Sequence, residues 1–282
     1  MIYGENCGEK LKIIVLAENT GWENCPGEHG LSLYIERDHD TILLDAGKSS
    51  LFSENAKTLG VDLRNVDFAV LSHSHYDHAD GFDNFFEIND RAKLYVRQEA
   101  GEIYFSKHGE ELKYIGPKQG MLEQYKDRIV YVNEDCCIIP GTDMFLVPHS
   151  SENLSVIGEK AKLYKQESGK VVPDDFTHEQ SFVINTPNGL VIFNSCSHGG
   201  PDNILREVLQ CKNGSKIYAY IGGFHLSKFP DEDVWDFAKT LKGLEIERII
   251  TGHCTGERAC EILREELGDK VEIMHAGMIF EL

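Results

Sequence analysis

The stretch Leu71-Ser72-His73-Ser74-His75-Tyr76-Asp77-His78-Ala79-Asp80-Gly81 is the most informative part of this chain. It places three histidines and an aspartate within six residues, in the pattern H-x-H-x-D-H. With 12 histidines in 282 residues, chance produces this pattern in roughly one such chain in a thousand. A solvated turn with coincidental histidines is therefore a poor explanation.

The motif directly follows residues 68–71, an apolar run that is typical of a buried strand. While the chain is still extended, side chains two residues apart point to the same side, so His73 and His75 can reach one metal ion. The turn then begins at Asp77, which directs Asp77 and His78 to a neighbouring position suited to a second ion. The motif therefore predicts a dinuclear metal site.

A dinuclear site needs more ligands, and the ends of strands are where binding groups collect on a rigid scaffold. Four further histidines each follow a predicted strand, namely His149, His198, His225 and His253. A single histidine in such a place is more often only hydrogen-bonded. We favour His253 and His198 as ligands over His149 and His225.

Apolar and β-branched runs between turn residues predict strands in both halves of the chain. They cover residues 11–17, 31–35, 41–44, 68–71, 93–96, 129–132, 144–147, 181–185, 190–194, 217–221, 248–251 and 271–274. Apolar residues three and four apart predict helices over residues 201–210, 231–241 and 256–267. We expect a strand-rich N-terminal half and a C-terminal half in which strands and helices alternate.

The polar segment 158–175 is the best candidate for a long loop between the two halves. Strands resume on both sides of it without a change in composition. We therefore expect a single domain over residues 1–282, with a loop or lid at 158–175 that covers the site.

The chain carries 28 Lys and Arg against 47 Asp and Glu, a formal charge of −19 at pH 7. This leaves no basic surplus for contacts to a phosphate backbone, which disfavours a nucleic-acid partner. The apolar runs fall far short of the ~20 residues that a membrane span needs. Residues 1–12 carry charge rather than the apolar stretch of a signal peptide. We expect a cytoplasmic protein with neither a nucleic-acid nor a membrane partner.

Further stretches match a known family. Leu43-Leu44-Asp45-Ala46-Gly47, the histidine motif and the later strand-end histidines together resemble the metallo-β-lactamase fold superfamily across nearly the whole chain. The chain is also similar to the branch named for 7,8-dihydropterin-6-methyl-4-(β-D-ribofuranosyl)aminobenzene-5′-phosphate synthase. That similarity is carried by Glu28-His29-Gly30-Leu31-Ser32, Asp174-Asp175-Phe176, Glu179-Gln180, Ser195-Cys196-Ser197-His198-Gly199, Gly222-Gly223-Phe224-His225-Leu226 and Gly252-His253-Cys254-Thr255-Gly256.

The resemblance implies an α/β (α+β) fold, a four-layer αββα sandwich with metal ions at one edge of its two sheets. It also implies a role for Asp45, which would support the histidine turn by contacting the ligands. The ligands that it implies are His73 and His75 for one ion, Asp77 and His78 for the other, and His253 as a further ligand.

The chain departs from the family at one point. Where many members place a bridging aspartate after a strand, this sequence has Ser195-Cys196-Ser197-His198. Either Cys196 takes that place as a thiolate, or His198 binds one ion and Cys196 is a small buried residue beneath the site. We favour His198.

Imidazole and carboxylate ligands suit zinc, with iron or manganese as alternatives, and we expect two zinc ions. The resemblance implies a metal-dependent hydrolase that acts on a small, phosphorylated or otherwise anionic substrate through a metal-bound hydroxide. Asp77 would orient the attacking water, and His225 would contact the substrate or protonate the leaving group. Three lysines, Lys48, Lys165 and Lys228, could contact a phosphate or could be ordinary surface residues.

Two other functions remain open. The first is a pterin-related synthase, in which the metal centre assists the displacement of diphosphate. The second is a non-enzymatic protein that binds a metal or a ligand, against which the complete H-x-H-x-D-H motif argues.

Overall fold

Two mixed sheets form the centre of the molecule, which the computed structural model describes over residues 10–133, 136–149, 154–212 and 215–282. In spatial order, the first sheet contains β18 (Ile279–Glu281), β1 (Leu11–Ala17), β2 (Ser32–Arg37), β3 (Asp40–Leu44), β4 (Phe68–Val70), β5 (Lys93–Arg97) and β8 (Ile129–Val132). The second sheet contains β17 (Val271–Ile273), β16 (Arg248–Thr251), β15 (Ile217–Ile221), β14 (Gly189–Phe193), β13 (Gln180–Thr186), β10 (Phe145–Pro148) and β9 (Cys137–Ile138).

Each sheet is parallel on one side and antiparallel on the other. β3, β4, β5 and β8 pair in parallel in the first sheet, and β14, β15, β16 and β17 do so in the second. Because the carboxyl ends of parallel strands meet at one edge, the loops that follow them lie side by side. This topology brings the strand-end histidines of distant sequence segments together.

The sequence of β1 shows why the sheets are covered on both faces. Ile13 and Val15 pack in the cluster between the two sheets, whereas Ile14 and Leu16 pack in the cluster on the outer face of the first sheet. Alternate residues of a strand point to opposite faces, so a continuous apolar run buries both faces. Each such buried side chain stabilises the fold by roughly 1.5–3 kcal/mol.

Helices form the outer layers. Those on the first sheet are α1 (Leu51–Thr58), α2 (Tyr76–Ala79), α3 (Phe82–Ile88) and α4 (Met121–Gln124). Those on the second sheet are α6 (Pro201–Cys211), α7 (Asp231–Gly243) and α8 (Glu257–Leu267). The expected four-layer αββα sandwich is confirmed.

A third sheet stands beside the sandwich, and we call it the wall sheet. It contains, in antiparallel order, β12 (Lys170–Pro173), β11 (Leu163–Glu167), β6 (Tyr104–His108) and β7 (Glu111–Tyr114). Helix α5 (Leu154–Ala161) leads into β11. The segment 158–175 is therefore not a long loop: it contains the end of α5 and the β11–β12 hairpin, whose backbone pairing does not need an apolar pattern. A lid function for this segment stays a prediction.

The predicted strands all appear, with ends shifted by at most two residues. The N-terminal half is rich in strands, as expected, but it also contains the helices α1 and α3, which were not predicted. At 8 and 7 residues, these helices are too short to give a clear helical period in the sequence. The assignment of one domain to residues 1–282 stays a prediction. No helix in the described ranges is both long and apolar enough to cross a membrane.

Candidate metal centre

Loops after β3, β4, β14, β15 and β16 meet at one edge of the two sheets. Four of their non-glycine residues, Asp45, Ser197, His225 and His253, have left-handed backbones with φ of 56°, 58°, 52° and 50°. Such a conformation costs of order 1–3 kcal/mol and persists only where the surroundings enforce it. The structure therefore holds these loops in a fixed arrangement.

Three histidines converge at this edge, and we call His73, His75 and His198 the three-histidine group. One ring nitrogen of each lies within 4.8 Å of the corresponding atoms of the other two. The Nε2 atoms of all three are buried and have no hydrogen-bond partner among the described residues. Buried polar atoms are normally paired, so this arrangement fits a bound metal ion.

Neighbouring side chains orient these rings. Ser72 Oγ lies 2.9 Å from His73 Nδ1, which leaves Nε2 facing the group. The Phe176 ring stacks on His198 at 4.7 Å between centroids. Burial, reinforced by the neighbouring histidines, lowers the pKa values of all three histidines well below their ordinary value. The rings are therefore neutral, which is the form that binds a metal.

A second cluster lies beside the first, and we call Asp77, His78 and His253 the carboxylate group. His78 Nε2 and His253 Nε2 are 3.2 Å apart, and Asp77 Oδ2 lies 3.7 Å from the first and 3.6 Å from the second. His78 Nδ1 lies 2.8 Å from Asp45 Oδ2, and His253 Nδ1 lies 2.9 Å from Asn19 Oδ1. Histidine ligands usually donate their other N–H in this way.

Charge distinguishes the two histidines of the carboxylate group. Burial alone would lower the pKa of His78, but the carboxylates of Asp77 and Asp45 outweigh it and raise that pKa to about 9. Burial lowers the pKa of His253 to about 3. The negative charge around His78 attracts a cation, which can be a proton or a metal ion.

Asp45 connects the site to both sheets. Its carboxylate accepts hydrogen bonds from the Ser72 backbone N–H at 2.8 Å, the Ser72 hydroxyl at 2.7 Å and the Ser195 hydroxyl at 2.6 Å. Together with the contact to His78, these bonds saturate a fully buried carboxylate. Asp45 thus lies where the resemblance places it, behind the histidine turn.

Cys196 lies between the two clusters, with Sγ 3.4 Å from His78 Nε2. Cys196, His225 and Cys254 could also hold an ion, because one ligand atom of each lies within 4.8 Å of the others. Burial acts to lower the pKa of His225, but the Cys254 sulfur outweighs it and raises that pKa. The choice between Cys196 and His198 as ligand stays a prediction.

His149 differs from the other strand-end histidines. Its Nδ1 lies 3.0 Å from Glu207 Oε2, and its Nε2 lies 3.1 Å from both Ser181 Oγ and Asn194 Nδ2. Both ring nitrogens are thus engaged with protein groups, as expected for a hydrogen-bonded histidine.

Three further residues contribute to the site without a role predicted from the sequence, and two of them, His29 and Glu179, lie in stretches that carry the family resemblance. His178, just before β13, accepts the Ser74 N–H at 2.9 Å through Nδ1 and so supports the histidine turn. Glu179 accepts the backbone N–H groups of His198 and Gly199 at 2.9 and 2.8 Å. His29 Nε2 lies 3.2 Å from Asp77 Oδ2. His178 and Glu179 precede a strand, so a search of strand ends alone does not find them.

Both clusters open into a cavity of about 510 Å³. The two clusters form its floor and the wall sheet forms one side. The lining includes His29, His75, Asp77, Ser106, Lys107, Lys113, Lys162, Cys196, His198, His225, Lys228 and His253. Of the three lysines considered from the sequence, Lys228 lies here and Lys48 does not, while Lys165 pairs with Asp175 at 2.8 Å.

Known proteins resemble the chain along most of its length. A protein of Methanocaldococcus jannaschii called 7,8-dihydropterin-6-methyl-4-(beta-D-ribofuranosyl)-aminobenzene-5'-phosphate synthase is 32% identical over 290 aligned residues, covering 97% of each chain. Among solved structures, Tm1679, described as a metal-dependent hydrolase of the beta-lactamase superfamily, is 32% identical and aligns with a TM-score of 0.83 over 96% of this chain and 99% of its own.

A diphosphatase of the PhnP family shares the fold, with a TM-score of 0.55 and 14% identity over 96% of this chain and 98% of its own. Residues 25–253 match the metallo-beta-lactamase superfamily. This match covers well over half of the sequence and includes the histidine motif. The chain therefore belongs to the metallo-β-lactamase superfamily.

Proposed function

We propose that this chain is a metal-dependent hydrolase that cleaves a small anionic substrate at the floor of the cavity. One observation carries the proposal: three buried histidine nitrogens, which have no hydrogen-bond partner among the described residues, lie beside a carboxylate-containing cluster, and both clusters open into the same cavity. This combination suits two neighbouring divalent ions.

The three-histidine group would hold one ion and the carboxylate group the other. Imidazole and carboxylate suit zinc, while iron and manganese accept the same ligands. Divalent ions supply Lewis acidity at the scissile bond and activate the attacking water.

The remaining steps fall to the side chains. Asp77 Oδ2 lies between the ring nitrogens of His78, His253 and His29, so the carboxylate can both bind an ion and orient a water molecule. His225 lines the cavity with its ring 4.4 Å from that of His198. From there it would donate a proton to the leaving group.

A second candidate is a synthase that displaces diphosphate from a dihydropterin. The similarity to the M. jannaschii synthase favours it, since 32% identity extends over 97% of both chains. Hydrolysis and synthesis place a similar demand on the floor, which must stabilise negative charge on oxygen. In hydrolysis this charge develops on the attacked phosphoryl or carbonyl group and on the departing oxygen, and in synthesis it develops on the departing diphosphate. They differ in the nucleophile, which is water in one case and an aminobenzene ribotide in the other.

The test combines metal analysis with a substrate panel. Protein purified without chelator should contain one to two transition-metal ions per chain. The panel offers a phosphodiester, a phosphomonoester, a lactone and, separately, a pterin diphosphate with an aminobenzene ribotide. Turnover with water alone supports the hydrolase, and diphosphate release that depends on the ribotide supports the synthase. Failure of the fully metallated protein on every substrate would favour a non-enzymatic binding protein.

A further inference from the structure

The side of the cavity formed by the wall sheet differs in charge from the rest of the molecule. The chain has a formal charge of −19, yet four lysines, Lys107, Lys113, Lys162 and Lys228, line the cavity together. Among the described lining residues, Asp77 is the one carboxylate, and it belongs to the proposed metal centre. Positive charge is thus concentrated beside the floor.

Strand register explains how the wall sheet presents this charge. Ser106 on β6 is paired with Lys113 on β7 and with Leu163 on β11. Residues paired across neighbouring strands project from the same face, and all three line the cavity. Lys107 follows Ser106 on β6, so its side chain projects from the opposite face, where Nζ lies 5.8 Å from the centroid of the Tyr164 ring. Its backbone N–H bonds to the Lys162 carbonyl at 2.9 Å.

Within the part of the chain that the structure describes, no carboxylate oxygen lies within 4.0 Å of the ammonium nitrogen of any of these four lysines. The neighbouring Lys165, in contrast, pairs with Asp175 at 2.8 Å. Lysines that line one cavity without carboxylate partners repel one another, and a bound anion reduces this repulsion. The positive charge of these lysines is therefore available to attract an anionic ligand.

The wall sheet is anchored to the floor. The Tyr104 ring is buried and packs against His178, with 4.0 Å between the ring centroids. The Tyr76 N–H, within the histidine motif, bonds to the Ile115 carbonyl at 2.8 Å. These contacts fix the base of the β6–β7 hairpin relative to the metal centre, so both ends of one bound molecule can be recognised together.

We infer that Lys113, Lys162 and Lys228 form a subsite for a phosphoryl group of the substrate that is separate from the bond cleaved at the floor. The inference rests on the proposed function, since the same substrate must reach the floor. A phosphate monoester carries about −1.5 to −2 charges at pH 7, against one for a carboxylate. Three ammonium groups without an ion pair among the described residues therefore favour a phosphate.

The experiment measures binding by isothermal titration calorimetry with metal-loaded protein. The probe is phenylphosphonate, which carries about the charge of a phosphate monoester, and benzoate is the singly charged carboxylate comparison with the same ring. The test variant replaces the three lysines by glutamine (Lys113→Gln, Lys162→Gln, Lys228→Gln). A charge-matched control replaces three exposed lysines on other surfaces (Lys57→Gln, Lys126→Gln, Lys239→Gln). Metal content is measured in each protein to verify that the floor is intact.

The test variant should bind phenylphosphonate about tenfold more weakly than wild type, while the control stays within about twofold. Wild type should prefer phenylphosphonate to benzoate. Unchanged affinity in the test variant, with loss of binding in a His73→Ala, His75→Ala variant, would place the anion on the metal ions and overturn the inference. Equal affinity for benzoate would overturn the assignment to phosphate.

Failure of the two proposals can be told apart. Lysine-dependent binding without turnover of any panel substrate would retain the subsite and reject the hydrolase. Turnover of phosphoesters together with unchanged binding in the test variant would retain the hydrolase and reject the subsite.

Discussion

The floor and the wall of the cavity are built in opposite ways. The proposed ligands at the floor are buried, and hydrogen bonds such as that of Asp45 to His78 orient them. In the wall sheet, the residues of β7 and β12 are exposed or half-buried, and the lysines that face the cavity have no ion pair within the described residues. Under the proposed function, the reaction would depend on the central sandwich and substrate choice on the added sheet.

Stability should differ between the two regions as well. The floor lies against the large cluster between the sheets, but the wall sheet is held by a small one that contains Tyr104, Ile115, Leu154, Leu163 and Phe176. Segments with few buried apolar contacts open at lower free energy than the core. We therefore expect ligand-dependent motion in the wall sheet and little in the floor.

The largest effect is expected from removing two proposed ligands at the floor. In His73→Ala with His75→Ala, most of one metal equivalent should be lost, because a single histidine of that group remains. Turnover should fall by about 10³-fold or more. Metal content by mass spectrometry and steady-state kinetics measure both quantities, with His39→Ala, at an exposed histidine, as the matched control. Full metal retention in the double variant would contradict the proposal that His73 and His75 are metal ligands.

The next effect separates chemistry from binding. Asp77→Asn keeps the shape of the side chain but removes its charge, so kcat should fall by about 10²-fold while KM changes by much less. The variant in which the cavity lysines are replaced by glutamine, in contrast, should change KM more than kcat, because these lysines are proposed to act on substrate binding. A drop in Asp77→Asn confined to KM would contradict the proposed role of this carboxylate.

The difference between floor and wall also explains what the sequence could predict. His73, His75, Asp77 and His78 lie within six residues of one another. Their pattern therefore indicates a metal site from local sequence alone, without any tertiary information. Strands such as β1 were predictable because burial on both faces requires a continuous apolar run.

The wall sheet gives no such signal. β6 reads Tyr-Phe-Ser-Lys-His and β11 reads Leu-Tyr-Lys-Gln-Glu, and neither shows a clear alternation of apolar and polar residues. Their pairing depends on strands about 60 residues apart in the chain. The convergence of Lys113 and Lys162 on the cavity is therefore a property of the tertiary fold.

Within the floor, pH should separate the two clusters. The carboxylates around His78 raise its pKa to about 9, so below that pH an ion at the carboxylate group must displace a proton. Its affinity should fall by about tenfold per pH unit as the pH decreases. The histidines of the other group have lowered pKa values and compete with no proton near neutral pH. Dialysis between pH 8 and pH 5.5, followed by metal analysis, should show one equivalent leaving first. Simultaneous loss of both would contradict the two-cluster description.

The smallest effect is expected at Cys196. Its sulfur lies 3.4 Å from His78 Nε2, but each cluster already has three candidate ligands without it. Cys196→Ser preserves the size of the side chain, so metal content and turnover should stay within about twofold of wild type. His198→Ala, in comparison, removes one of three ligands from the three-histidine group and should lower metal content clearly. The two variants lie two residues apart on the same turn, so a general disturbance of that turn would affect both. If Cys196→Ser loses metal and His198→Ala retains it, the thiolate is the ligand, and the three-histidine group must be replaced by one formed by His73, His78 and Cys196.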